Sequence, residues 1–207
     1  MRFSTLSLAL IAALSCAGFA PARAHDHAHM IQMQATEPLS GASVYNLASP
    51  WTDQDGKIVE LKSLRGKPVV MAMAYTSCKD ICPLIVANMV AIENAARAKN
   101  LTDIRFAFFS LDPAVDTPAR LKAYAEERGL DPAQWSLYHG DDKAVRDLAA
   151  ALGVRFRRDD KGGIDHSAAI SLLDEKGEIV FQKLDTKLDT DEFVSRIEAL
   201  SPPHKRL

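Results

Sequence analysis

Cys78 and Cys82, in the run Cys78-Lys79-Asp80-Ile81-Cys82-Pro83, are the residues of this chain best placed to do chemistry. A close pair of cysteines can be a disulfide, a redox couple or a metal site. A purely structural staple gains little here, because so small a loop barely constrains the unfolded chain. Redox pairs of the thiol-exchange type place two residues between the cysteines. The third residue here lets both sulfurs turn toward one centre without forcing a bond between them. Soft thiolates select Cu(I), which is content with two or three ligands, whereas structural zinc wants four. Few soft or imidazole donors remain in the chain to complete a shell. The donor set therefore points to Cu(I).

The elements around the pair follow from pattern. Pro68 to Tyr75 is a continuous apolar run, as in a strand buried on both faces. Both cysteines lie at its end, and Pro83 suits the first turn of a helix, where its missing N–H costs nothing. Thiolates at such a junction are favoured by the positive end of the helix. Leu84, Ile85, Ala87, Met89, Ile92 and Ala96 give that helix an apolar face as far as Lys99. Upstream, Tyr45 to Thr52 and Lys57 to Leu61 read as a hairpin about Asp53-Gln54-Asp55-Gly56. Downstream come a buried strand (Ile104 to Leu111), a helix opened by Thr117-Pro118 and closed by Gly129, and a short strand (Trp135 to Tyr138). A helix capped by Asp141 or Asp142 follows and ends at Leu152-Gly153. Ser167 to Leu173 and Glu178 to Leu184 pair about Asp174-Glu175-Lys176-Gly177, and a last helix spans Thr190 to Leu200. The order β-α-β-α-(β)-α-β-β-α is a layered α/β domain. It contains the thioredoxin arrangement with an N-terminal β-hairpin and an inserted helix.

Three segments, in this order, carry a resemblance. Tyr75-Thr76-Ser77-Cys78-Lys79-Asp80-Ile81-Cys82-Pro83 resembles the metal loop of the Sco (SenC-type) copper chaperones. Ser110-Leu111-Asp112-Pro113-Ala114-Val115-Asp116-Thr117-Pro118 is similar to that family's strand-to-helix segment, and Asp165-His166-Ser167 to the stretch carrying its histidine. The resemblance runs from about Val44 to Leu200. It implies a thioredoxin-like fold, copper ligands at Cys78, Cys82 and His166, and delivery of copper to the CuA centre of cytochrome c oxidase. Implied partners are the oxidase subunit carrying CuA, a periplasmic copper donor and a thiol reductant. Some members act instead as thiol-disulfide reductases, which is the alternative function. Lys79 departs from the family, which often has Pro there, and a cation at that place favours thiolate. His166 precedes a core strand, and the one other histidine of the domain ahead of the C-terminal tail is His139. Asp165 is the expected acceptor for its second ring N–H, and His139 is expected at the surface. Asp112 is expected to begin a turn with Pro113, and Asp116 to help cap the Thr117 helix, in preference to a paired-carboxylate site. A peroxidase of the peroxiredoxin kind would need Thr three residues before its cysteine, and neither cysteine has it. A passive copper store is the non-enzymatic rival.

The beginning of the chain reads as an address. Arg2, the mostly apolar stretch Phe3 to Ala20 and the small residues of Ala22-Arg23-Ala24 form a signal peptide over residues 1–24, hence periplasmic export. Ser4, Thr5, Ser7 and Ser15 interrupt the stretch, which argues against a spanning anchor. Ala13-Leu14-Ser15-Cys16 loosely resembles a lipobox, so a lipoprotein form is the alternative. Residues 25–42 read as a flexible tether containing His and Met, and residues 43–203 as the copper-binding domain. Of 207 residues, 47% are hydrophobic and 25% charged, and the formal net charge of -2 gives no reason to expect nucleic acid as a partner. Arg155, Arg157, Arg158 and Lys161 form a short basic patch, read as a solvated hairpin edge.

Cleavage after Ala24 would leave a free amine on His25 and an imidazole third in line at His27. Amine, two backbone amides and imidazole can wrap Cu(II) in a square plane of nitrogens, while Met30 and Met33 suit Cu(I). Mass spectrometry of the mature protein should read His25 first, and one equivalent of Cu(II) should give a visible band lost in His27→Ala. A mature chain starting elsewhere, or a spectrum indifferent to the substitution, removes this second site.

Overall fold

The computed structural model describes residues 38–160 and 163–201. The signal segment with Cys16, the tether histidines His25 and His27, Met30, Met33, Lys161 and the chain beyond 201 lie outside the described residues.

The organising element is β3 (Val69–Ala74), in which every residue is buried. Its side chains alternate between two cores, as strand geometry requires. Val70, Ala72 and Ala74 enter one cluster, and Val69, Met71 and Met73 the other. Parallel to β3 runs β4 (Arg105–Ser110), and parallel to that β5 (Trp135–Gly140). On its other side β8 (Ile170–Leu173) pairs antiparallel, followed by β9 (Ile179–Lys183). The hairpin of β1 (Trp51–Asp53) and β2 (Ile58–Val59) completes the order β2-β1-β5-β4-β3-β8-β9. Helices α1 (Cys82–Ala98), α2 (Pro118–Glu127) and α4 (Thr190–Leu200) contribute to the first core. Helix α3 (Asp142–Ala151), the inserted one, contributes to the second. This is the layered α/β arrangement expected, with both faces of the sheet covered.

Several boundaries differ from expectation. The N-terminal hairpin is short, because Pro50 ahead of Trp51 has no N–H to extend the ladder. Val44–Asn46 instead forms a 3₁₀ turn, as does Leu61–Leu64, whose Leu61 and Leu64 are buried. Helix α1 begins at Cys82 itself and buries Val86 and Glu93, while Leu84 and Ala87 face outward. The basic stretch forms a hairpin of its own, β6 (Phe156–Arg158) with β7 (Ile164–His166), separate from the main sheet.

Glu93, on α1, is one of the buried polar residues. One of its oxygens accepts the indole N–H of buried Trp135 at 2.7 Å, and the other accepts from Arg97 at 2.6 Å. Truncation would leave the Trp135 donor without a partner, which costs about 1–3 kcal/mol. Glu93→Ala should therefore lower the unfolding free energy read from urea titration by that much, and Glu93→Gln, which keeps an acceptor, by clearly less.

Candidate metal centre

The chain leaves β3 at Tyr75 and re-enters regular structure at Cys82, the first residue of α1. Ile81 occupies the cap position and offers no side-chain acceptor. Helices ordinarily satisfy these first N–H groups with Ser, Thr, Asp or Asn. Here the Cys82 N–H donates to the Cys78 sulfur at 3.4 Å. The Cys78 sulfur thus accepts from the first N–H of the helix, in the positive field of the helix end. Lys79 and Asp80 are exposed on the loop between them.

The two thiols are unequal. Burial pushes the half-buried Cys78 thiol up, but hydrogen bonds from Cys82 (side chain and backbone), the Asp80 backbone and Tyr75 outweigh it and hold its pKa below the usual thiol value. Cys82 is buried, and desolvation first, then its hydrogen bond with Cys78, raises it far above that value. Burial and the hydrogen bond with Cys78 push the Tyr75 phenol up to about 12. Cys78 is therefore the more acidic of the two thiols and Cys82 the less acidic.

His166, the last residue of β7, reaches the pair from a different part of the chain. Its Nε2 lies 3.0 Å from Cys82 Sγ, and its Nδ1 lies 3.1 Å from the carbonyl oxygen of Ser167. A carbonyl can only accept, so Nδ1 carries the proton and Nε2 turns its lone pair to the sulfurs. Burial lowers the imidazole pKa, against the Ser167 bond, which favours the neutral ring that a metal needs. Donor atoms of Cys78, Cys82 and His166 all lie within 4.8 Å of one another, the one such group of metal-capable side chains among the described residues. Two soft sulfurs and one imidazole nitrogen suit an ion of low coordination number.

Other expectations need correction. Asp165 is not the partner of His166: strand alternation turns it outward, where it pairs with Arg157 at 3.2 Å. Ser167 supplies the acceptor instead. Asp116 does not cap α2, since Thr117 does that by accepting from the Arg120 N–H. Its fully buried carboxyl accepts from Thr76 N (3.0 Å), Thr76 Oγ1 (2.5 Å) and Ser110 Oγ (2.6 Å). Asp112 does begin a turn, its carbonyl accepting from the Val115 and Asp116 N–H groups. Its side chain, however, is buried and accepts from Arg158 at 2.9 Å. His139 is half-buried on β5, its Nδ1 3.0 Å from the Asp116 carbonyl oxygen. A cleft of about 690 Å³ opens beside His166, lined by Arg155, Phe156, Arg157, Asp165 and Ser167.

With this geometry in hand, likeness to known proteins is informative. A family model described as SCO1/SenC matches residues 42–201. A SCO1 protein homolog of Bacillus subtilis is 36% identical over 88 residues, 42% of this chain and 45% of that protein. An SCO2-like protein of Rickettsia typhi is 30% identical over 134 residues, 62% of this chain and 64% of that one. The chain thus spans less than two thirds of either relative. Among solved structures, ScoI of Bradyrhizobium japonicum with copper bound is 29% identical at a TM-score of 0.62, covering 74% of this chain and 97% of that one.

Inequality of the thiols has a direct readout in the reduced, metal-free protein. Iodoacetamide should modify Cys78 well before Cys82, as read by peptide mass spectrometry. Because the Cys78 pKa is lowered, the pH profile of that reaction should rise at lower pH than for an ordinary thiol. Equal labelling of both cysteines, or a midpoint at or above the usual thiol value, contradicts the assignment.

Proposed function

The chain belongs to the SCO1/SenC family, and from that premise we propose that it is an exported chaperone that binds copper and delivers it to the CuA site of cytochrome c oxidase. The observation that carries this reading is the convergence of Cys78, Cys82 and His166, from two distant segments, on one point. The copper-bound Bradyrhizobium relative supports it. Two thiolates and a neutral imidazole would hold Cu(I) as cargo. Binding requires both thiols to lose their protons, and a Cys78–Cys82 disulfide blocks it. An external thiol reductant and a copper donor therefore belong to the cycle, and the periplasm is its place, reached through the signal segment. Half-exposure of Cys78 and the cleft beside His166 leave room for an acceptor's ligands to replace these in turn.

A second reading draws on the asymmetry of the thiols. As a thiol-disulfide reductase, the Cys78 thiolate would attack a client disulfide, forming a mixed disulfide and releasing one client thiolate. Cys82, after losing its proton, would then attack Cys78 and release the second. The client gains two electrons, and the chain is left as the Cys78–Cys82 disulfide. This route needs no imidazole.

Titration of the reduced domain, with Cu K-edge spectroscopy, should find one Cu(I) bound by two sulfurs and one nitrogen. Even partners outside the ligand shell cost about 10–100-fold in metal affinity when removed. Cys78→Ser should therefore cost more than roughly 100-fold. His166→Ala should likewise weaken copper binding while leaving disulfide exchange intact. Tighter Zn(II) than Cu(I) binding, or uptake of Cu(I) by the verified disulfide form, overturns the copper reading.

A further inference from the structure

The residue that brings imidazole to the cysteines sits on an element outside the main sheet. Among the described residues, the β6–β7 hairpin pairs only with itself, in the register Phe156↔His166, Arg157↔Asp165 and Arg158↔Ile164. Alternation places Phe156, Arg158, Ile164 and His166 on one face. Ile164 is buried in the second core and Phe156 packs against it. Arg157 and Asp165, on the opposite face, are 80% and 69% exposed. The inward face includes one cation, Arg158, and its Nη2 donates to Asp112 Oδ1 at 2.9 Å.

Asp112 is no ordinary surface partner. Its side chain is 4% exposed, and it lies in the turn directly after β4. Its N–H donates to Ser110 Oγ at 2.9 Å, and that hydroxyl donates to Asp116 Oδ2 at 2.6 Å. Asp116 in turn receives the backbone N–H and hydroxyl of Thr76, two residues before Cys78. One polar chain therefore runs from the hairpin carrying His166, through the turn at 110–117, to the loop carrying Cys78. Tyr75 adds a shorter tie, its hydroxyl oxygen 3.2 Å from the Ile164 carbonyl oxygen while its ring meets the His166 ring edge-on at 5.8 Å between centroids.

We propose that Arg158 is a positioning residue of this centre: its ion pair with buried Asp112 latches the β6–β7 hairpin so that His166 faces Cys78 and Cys82. Without the latch, the hairpin keeps its own ladder but loses its charged anchor, and Nε2 is no longer held at the sulfurs. The inference deepens the copper reading and rests on it for the identity of the metal, but not for the position of the ring. An ion pair rather than apolar packing alone suits this task, because a guanidinium and a carboxylate meet in a defined orientation.

The test begins with the reduced, metal-free protein. Nuclear Overhauser contacts between the Tyr75 and His166 rings should be present in the wild type, lost or strongly weakened in Arg158→Gln, and largely restored in Arg158→Lys. Copper affinity should follow, falling on the order of tenfold in Arg158→Gln, with loss of nitrogen scattering at the Cu K-edge. Arg158 is 43% exposed, so its replacement does not open the core. Should Arg158→Gln fail to fold because Asp112 is left unpaired, Arg158→Gln with Asp112→Asn removes both charges and carries the same comparison. Ring contacts that persist at wild-type strength in these variants overturn the latch, whatever the copper affinity. A wild type that takes up no Cu(I) overturns the copper reading instead, and the ring contacts still judge the latch.

Discussion

Asp116 takes three hydrogen bonds inside the protein, from the backbone and hydroxyl of Thr76 and the hydroxyl of Ser110. A buried carboxyl is tolerated only when its oxygens are satisfied, so the geometry of these donors is closely held. Thr76 follows β3 and Ser110 ends β4, so the carboxyl joins the two strand ends from which the site is built. Arg120 adds its Nε–H to Thr76 Oγ1 at 3.2 Å, and His139 contacts the Asp116 carbonyl. The loop with Cys78 therefore leaves the sheet from a fixed point, and everything at the centre is measured from there.

From that point the cysteines inherit an environment that favours function over stability. A helix starting at Cys82 with no capping oxygen gives up about 1 kcal/mol relative to a well-capped one. What it gains is a Cys82 N–H and a positive helix end directed at the Cys78 sulfur. Violations of local rules of this kind belong at functional sites, where the rest of the fold sustains them. The apolar run of β3, buried on both faces, is the part that sustains this one.

Imidazole completes the set by another route. His166 is presented on an edge hairpin, not on the main sheet, and its neighbours divide by parity. Ile164 and His166 face inward, while Asp165 pairs with Arg157 outside. The acceptor for the ring's second N–H is a backbone carbonyl, Ser167, so the tautomer is set by the chain itself rather than by a side chain.

Much of this was legible in the amino-acid order, and the reason is range. The buried strand before the cysteines, Pro83 in the first turn, the helix opened at Thr117-Pro118, a cap at Asp141 or Asp142 and the turns at Gly56 and Gly177 all rest on interactions within a few residues. Local chemistry of that kind can be read without a fold, and so could the two cysteines as a pair. The role of His166 needed the motif it shares with a family, because 84 residues separate it from Cys82. Asp165 and Ser167 could not be told apart as its partner until the parity of β7 was known. Nor could Asp116 be recognised as a buried anchor, since a cap and a clamp look alike in a Val-Asp-Thr-Pro string. Local order determined the thiols and the helix end that activates one of them. Only tertiary packing decided which imidazole meets them, which carbonyl orients it and which carboxyls hold the loops in place, because each of those contacts joins strands that are neighbours in space and not in sequence.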